Sequence, residues 1–422
     1  IWYCGKCGEL TVTVETPKAC SKCGSKDIEQ DPDTLDTWFS SGLWPHSTLG
    51  WPDDTEDLRY FYPTTVMETA YDILFFWVAR MIMMGIEDTG EIPFRTVYLH
   101  GLVRDDIGDK ISKTRGNVID PLDLLEQYGS DALRFAVLMG TSPGNDSKLS
   151  IPKLEAGRNF ANKLWNATRF VIRSLPPQFN MTNQEVSDRL KGHEHTSEDR
   201  WILSRLNRTI ANAINLMEDF QFGEAQRQIH DFLWGEYCDW FIELAKIRLA
   251  SNDSSPLPVL VHVLEKSLRL LHPYMPFLTE ELWHQLKKHA KLPVAESIMV
   301  AEYPVADESV FDPAAETEIE TITEIIRSIR NVRAQYKVES TRWIEVKIHT
   351  DAPRHTAVSR YAGPISTLAH ARPITFLKVE PDEKAGDNTL VLPLAKATVV
   401  IPMASMFDID AERKRLEKEL EQ

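Results

Sequence analysis

Two clusters of residues in this chain have the types and spacing for chemistry. The first is Asp109-Lys110-Ile111-Ser112-Lys113-Thr114-Arg115-Gly116-Asn117. Its two lysines, the hydroxyls of Ser112 and Thr114, and the flanking Gly108 and Gly116 make a cationic loop rich in hydrogen-bond donors. Such a loop suits a polyphosphate, because positioned ammonium groups stabilise the charge that develops on oxygen as a phosphate leaves. Taken by itself, the same run also fits an ordinary solvated loop. The second cluster is Cys4-x2-Cys7 with Cys20-x2-Cys23. Paired knuckles of this kind present four thiolates tetrahedrally to Zn2+, and Gly5, Gly8 and Gly24 permit tight turns beneath a metal. Two disulfides are the alternative, although the rest of the chain reads as cytosolic, where thiols stay reduced. Cys238, in an aromatic stretch, reads as a small buried hydrophobe.

The elements that must position these residues follow from periodicity. Thr11-Val12-Thr13-Val14, in the spacer between the knuckles, reads as a short β-ribbon. From about residue 31 to 150, short apolar runs alternate with helical segments. Residues 96–100 read as a buried strand preceded by an apolar helix over 73–84. That alternation suits half of a doubly wound α/β sheet, whose ligands bind at the carboxyl ends of strands. It places Trp38, Asp72, His100 and the Lys110 loop together at one end. From about 153 to 290 the period becomes helical, with Leu203, Leu206, Ile210, Ala213, Met217 and Phe220 as one repeat and 229–247 as another. A helical bundle follows. Residues 174–198 and 251–258 read as surface connections. A long helix over 316–337 precedes strand-like segments at 343–348, 375–379 and 398–401, a small α+β domain. Ile409, Leu416 and Leu420, with charges between them, read as the first turns of a coiled coil.

With 422 residues there is room for two to four domains. No apolar run reaches the roughly 18 residues a membrane span needs, and no signal-peptide pattern is visible, so a cytoplasmic location is expected. A net charge of −16 argues against a general nucleic-acid coat protein but leaves room for local basic patches. Two helix faces offer such patches: Arg158, Lys163, Arg169 and Arg173, and then Arg327, Arg330, Arg333 and Lys337. Ordinary solvated faces are the alternative.

The Lys110 run, with His100-Gly101-Leu102-Val103 before it and Asn117-Val118-Ile119-Asp120-Pro121 after it, resembles the second signature, Lys-Met-Ser-Lys-Ser, of class I aminoacyl-tRNA synthetases. Ile111 stands for Met and Thr114 for the last Ser, swaps that keep size and chemistry. Within that class, residues 35–45, 71–81, 158–166 and 232–240 resemble the valyl-tRNA synthetase family over nearly the whole chain. Ala70 departs from the family, which usually carries Gly where backbone approaches the nucleotide.

The resemblance implies ligation of valine to tRNA(Val) through valyl-adenylate, with ATP, Mg2+ accompanying the ATP, and structural Zn2+. It implies catalytic roles for Lys110, Ser112, Lys113 and Thr114, and ATP or adenylate contacts from Ala70, Asp72, His100, Gly101 and Lys113. Trp38 and Trp77 would wall a branched aliphatic pocket, core aromatics being the alternative. Arg169 and Phe170 would touch the anticodon, facing away from a core side marked by Trp165, with a core place for Phe170 as the alternative.

The expected division is a zinc ribbon at 1–30, the C-terminal half of a Rossmann-like class I catalytic domain at 31–150, and an anticodon-binding bundle at 151–292. The small α+β domain at 293–405 and the start of a coiled-coil arm at 406–422 complete it. No His-x-Gly-His tetrad, the first class I signature, occurs here. The chain also starts without Met and stops within a helical pattern. The expectation is therefore a C-terminal piece, inactive alone, whose partners are tRNA(Val), valine, ATP and the N-terminal remainder of the same monomeric enzyme, with no membrane. Two other readings stand beside it: a non-catalytic zinc-containing tRNA-binding module, and another branched-chain class I synthetase.

Overall fold

The computed structural model describes residues 1–111, 116–117, 120–182, 195–381 and 388–406. The chain forms two compact units. One comprises Ile1–Leu102 with Pro143–Asp146, the other Val103–Ser142 with Ser147–Gln422.

In the first unit, strands Leu10–Thr11, Trp2–Cys4 and Ile28–Gln30 form an antiparallel sheet in that order. The expected ribbon stops at Thr11. Val12 and Val14 have no strand to pair with and stand 70% and 105% exposed. Helices Thr37–Gly42 and Glu56–Phe61 start where Asp36 and Thr55 accept the backbone N–H groups of Trp38 and Leu58, satisfying first-turn donors.

Strand Thr64–Ala70 then pairs in parallel with Phe94–His100, with Ala70 opposite His100. The crossover expected as a plain helix is three pieces: a 3-10 turn at Tyr71–Ile73, a π-turn at Leu74–Val78, and the α-helix Ala79–Thr89. Val78, Met81 and Phe94 form the core beneath it, with Met67, Trp77, Ile82 and Val97 packed around. The strand expected to be buried at 96–100 has no buried residue there, only Phe94 ahead of it, because a two-stranded sheet covers little of either face.

In the second unit, short parallel strands Val103–Arg104 and Ser147–Lys148 precede the bundle. The bundle contains helices Ile151–Ser174, Ser197–Glu218, Pro256–Leu271 and Pro276–Ala290. A continuous helical run joins Phe222–Asp231, the π-helix Phe232–Phe241 and Ile242–Ala250. Leu203, Leu206, Ile210, Ala213, Ile229, Leu233, Tyr237, Trp240 and Leu244 are all buried, as the helical period predicts.

Helix Pro313–Gln335, capped by the Asp312 carboxylate on Ala315 N–H, leads to a four-stranded sheet. Its order is Thr389–Pro393, Thr398–Pro402, Ile344–His349, Ala371–Leu377, and only the last pair is parallel. Helices Ala352–Arg360 and Ala362–Ala369 make the crossover that a parallel pair requires. Strand Thr389–Pro393 and both crossover helices were not expected from the sequence. One apolar core runs from the bundle into this sheet, holding Leu206, Trp283, Ile326, Val346 and Val399 together. The coiled-coil expectation at 406–422 falls, from residue 407 on, outside the described residues.

Candidate active-site segments and the four-cysteine centre

In the second unit, strand Val103–Arg104 delivers Asp105, and a bridge between Arg104 and Lys110 brings the chain back. Asp105 as a residue is 8% exposed. It accepts hydrogen bonds from Gly108 N–H at 2.9 Å and Asp109 N–H at 2.6 Å on one arm, and from Asn117 Nδ2 at 2.8 Å on the other. Asn117 Nδ2 also donates to the Lys110 carbonyl at 3.2 Å. The Asn117 amide, helped by the backbone N–H groups and opposed by desolvation, holds this carboxyl below the usual carboxylate range. A charged acceptor thus closes the stem of the signature run. Lys110 is exposed on that stem, while Ser112, Lys113 and Thr114 lie outside the described residues. Asp105 escaped sequence reading. Its Asp-x-x-Gly spacing, an acceptor three residues before a turn glycine, is the signal that could have found it.

In the first unit, Ala70 and His100 end the two parallel strands side by side, and Asp72 lies exposed in the turn after Ala70. Ala70 has φ −69° and ψ 149°, extended backbone that alanine adopts without strain, so the departure from glycine costs nothing in conformation. His100 Nε2 lies 3.1 Å from Glu68 Oε1 and its Nδ1 lies 2.9 Å from the Gly101 carbonyl, so both ring nitrogens face acceptors. Gly101 is confined by the 143–146 segment: an added Cβ would stand 1.8 Å from the Asn145 carbonyl oxygen. Asp146, also unforeseen, accepts Leu102 N–H at 2.8 Å and the Tyr71 hydroxyl at 3.3 Å, tying both strand ends to that segment.

Trp38 and Trp77 both lie where helix Thr37–Gly42 meets the crossover, but with different neighbours. Trp38 packs on Phe76, with centroids 6.3 Å apart, and carries the Arg80 guanidinium 5.4 Å over its ring. Trp77 packs against the core and donates Nε1–H to the Ser41 carbonyl at 3.1 Å.

The four cysteines converge, all four sulfurs lying within 4.8 Å of one another. Cys4–Cys23 and Cys7–Cys20 sulfur distances are 3.6 and 3.7 Å, far too long for disulfides. Both knuckles repeat one turn. Gly8 N–H donates to Cys4 O and Gly24 N–H to Cys20 O, with φ of +70° and +69°, where a side chain would be strained. The Cys23 and Lys22 backbone N–H groups lead the effects that pull the Cys20 thiol down to about 6, so a thiolate is favoured there.

On helix Ile151–Ser174, Arg169 is exposed and donates to Asn166 Oδ1 at 2.8 Å. Phe170 is half-buried against the core, with Lys246 Nζ 5.2 Å over its ring. Trp165, expected on the core side, is instead 44% exposed. Lys163 is engaged by Asp239 at 2.5 Å and lies 3.8 Å over Trp234. On the second basic helix, Arg333 is buried and donates to the carbonyls of Arg342, His370 and Glu339, so it holds the fold rather than a surface patch. Arg327 and Arg330 lie 5.1 and 5.3 Å over Trp240.

Residues 8–150 match the family model of tRNA synthetases class I (I, L, M and V), and residues 199–348 match the anticodon-binding domain of tRNA ligase. A valine–tRNA ligase of Dehalococcoides mccartyi is 58% identical over 100% of this chain and 47% of its own length. One from Clostridium acetobutylicum is 44% identical over 99% of this chain and 46% of its own. The chain thus spans about half the length of the curated relatives it matches. Among solved structures, a LeuRS–tRNA–LeuAMS complex from Agrobacterium radiobacter K84 shares the fold, with a TM-score of 0.55 at 20% identity over 74% of this chain and 42% of that one. Residues 8–150 thus carry the class I tRNA synthetase family and residues 199–348 the anticodon-binding domain of tRNA ligases, in a chain that valine–tRNA ligases match over its whole length.

Proposed function

We propose that the protein carrying this chain ligates valine to tRNA(Val), with ATP as the energy source and Mg2+ entering on the nucleotide. The observation that carries the proposal is similarity to valine–tRNA ligases over the whole of this chain, supported by the hydrogen-bonded Asp105–Asn117 stem beneath Lys110. A valine carboxylate oxygen attacks the α-phosphorus, the bond to the β-phosphate oxygen breaks, and pyrophosphate leaves. A terminal ribose hydroxyl of the tRNA then attacks the activated carbonyl and AMP leaves. No protein nucleophile is required, so catalysis rests on positioning and charge.

Lys110 and Lys113 neutralise the departing pyrophosphate, and Ser112 and Thr114 donate to phosphate or fix the loop. Asp72 accepts the ribose hydroxyls, while Ala70, His100 and Gly101 border the adenine. Trp38 and Trp77 limit the side-chain pocket. Arg169 and Phe170 serve the anticodon end of the tRNA. Cys4, Cys7, Cys20 and Cys23 hold one structural Zn2+: at ~2.3 Å per Zn–S bond, tetrahedral sulfurs sit about 3.8 Å apart, close to the spacings here. The division at residues 30, 150, 292 and 405 is part of the same reading.

The test is pyrophosphate exchange with the full-length protein against a panel of amino acids. Valine-dependent exchange is expected. Exchange driven by isoleucine or leucine, or by none, overturns the proposal. The isolated chain, without a His-x-Gly-His tetrad, is expected to show no exchange.

A further inference from the structure

Thirteen of the sixteen residues of helix Pro256–Leu271 are buried. The three exceptions, His262, Lys266 and Arg269, lie four and three residues apart, so they share one face. Arg269 is committed to Glu265 and to the Glu302 carbonyl. His262 and Lys266 have no hydrogen-bond or ion-pair partner among the described residues.

Both side chains open into a cavity of about 630 Å3, within the roughly 300–1,000 Å3 of small-molecule sites. Its apolar walls are Leu203, Leu206 and Ile210 on helix Ser197–Glu218, with Val310 and Phe311 from the segment before helix Pro313–Gln335. Other polar groups at the cavity are already engaged. Asn207 accepts Asp307 N–H at 2.8 Å and donates to the Leu203 carbonyl at 2.9 Å. Arg200 is paired with Asp312 at 2.8 Å, and the exposed Asp307 accepts both the N–H and the hydroxyl of Ser309.

Desolvation, with Arg269 as a second cause, pulls Lys266 below the ordinary lysine range. The adjacent Glu265 carboxylate is taken by Arg269 and the Trp283 indole. A cation held partly out of water without a counter-charge carries a cost that a bound anion removes. One ammonium beside one imidazole, in a chamber with apolar walls, matches one carboxylate on an apolar body. A phosphate dianion would bring a second charge with no second unpaired ammonium to meet it.

We infer that this cavity binds a small organic carboxylate, its head group on Lys266 and His262 and its alkyl or aryl body against Leu203, Leu206 and Phe311. None of these residues has a part in the contacts proposed above for ATP, valine or tRNA.

The test is calorimetric titration of the full-length protein with decanoate, and with decanol as its uncharged counterpart. Decanoate should bind roughly 10-fold or more tightly than decanol. Lys266→Met, which keeps an unbranched side chain and removes the charge, should weaken decanoate roughly 10- to 100-fold and leave decanol unchanged. Lys266→Arg, which keeps the charge, should retain most of the decanoate affinity. Val310→Trp, which narrows the chamber from its apolar wall, should weaken both probes alike. No decanoate binding, equal affinity for the two probes, or full decanoate affinity in Lys266→Met overturns the inference. So does full decanoate affinity in Val310→Trp, which would put the ligand elsewhere.

Discussion

A carboxylate that accepts three hydrogen bonds from two arms of a loop has almost no freedom, and neither do the arms. Replacing Asp105 by Ala would leave the N–H groups of Gly108 and Asp109 and the Asn117 amide without their acceptor, each at about 1–3 kcal/mol if they stay buried. The lysine on that stem would lose its fixed place. In the full-length protein, Asp105→Ala should slow valine-dependent pyrophosphate exchange by on the order of 10- to 100-fold, with KM for valine nearly unchanged. An unaltered rate would place the hub outside catalysis. The lysines were legible in the sequence because side-chain type and spacing announce them. Asp105 and Asp146 were not, because their partners are mostly backbone N–H groups. Trp165 was misread for another reason: an aromatic in an amphipathic helix is usually core, and only the packed bundle shows which arc faces outward.

At the scale of elements, the three-stranded sheet has strands of two and three residues, and within it only Cys4 among strand residues is buried. Such a sheet buries too little apolar surface to stand alone, and in the proposed reading a Zn2+ on the four cysteines supplies its folding energy. Purified protein should carry close to one equivalent of Zn2+, and stripping it should expose residues 1–31 to rapid protease nicking. A metal-free protein as resistant as the loaded one would refute a zinc role. The knuckles were legible because four ligands at fixed spacing admit few geometries. The ribbon's length was not, since β-propensity at Val12 and Val14 cannot supply a partner strand. Arg333 likewise looked like a surface cation until three carbonyls closed around it.

For the whole molecule, the continuous core of the second unit links its stability to pH through His262. Burial, with Lys266 nearby as a second cause, holds this imidazole at about 4. An unfolded histidine titrates near 6.5, so between those values the unfolded chain binds more protons. The contribution is therefore fully present above about pH 6.5 and is lost as pH falls toward 4, amounting to up to about 3 kcal/mol at 1.36 kcal/mol per unit. Unfolding of the full-length protein should grow easier over that window, and His262→Phe should flatten the dependence. A profile identical in the variant would assign the acid sensitivity elsewhere. The bundle's helices were legible from their period. The merging of bundle and sheet into one core was not, because periodicity reports which face is buried and never against what.

The 143–146 segment has a consequence for how this protein can be taken apart. The chain leaves the first unit at Leu102, returns to it at Pro143 and leaves again after Asp146, so three covalent passes join the units. The returning stitch supplies the wall against Gly101 and the acceptor for Leu102 N–H. No single cut can yield both units intact. A break at 102 strips the first of its own stitch, and a break at 146 leaves the second without its opening helices. Exchanging either unit alone takes three junctions where a simple tandem of domains would take one.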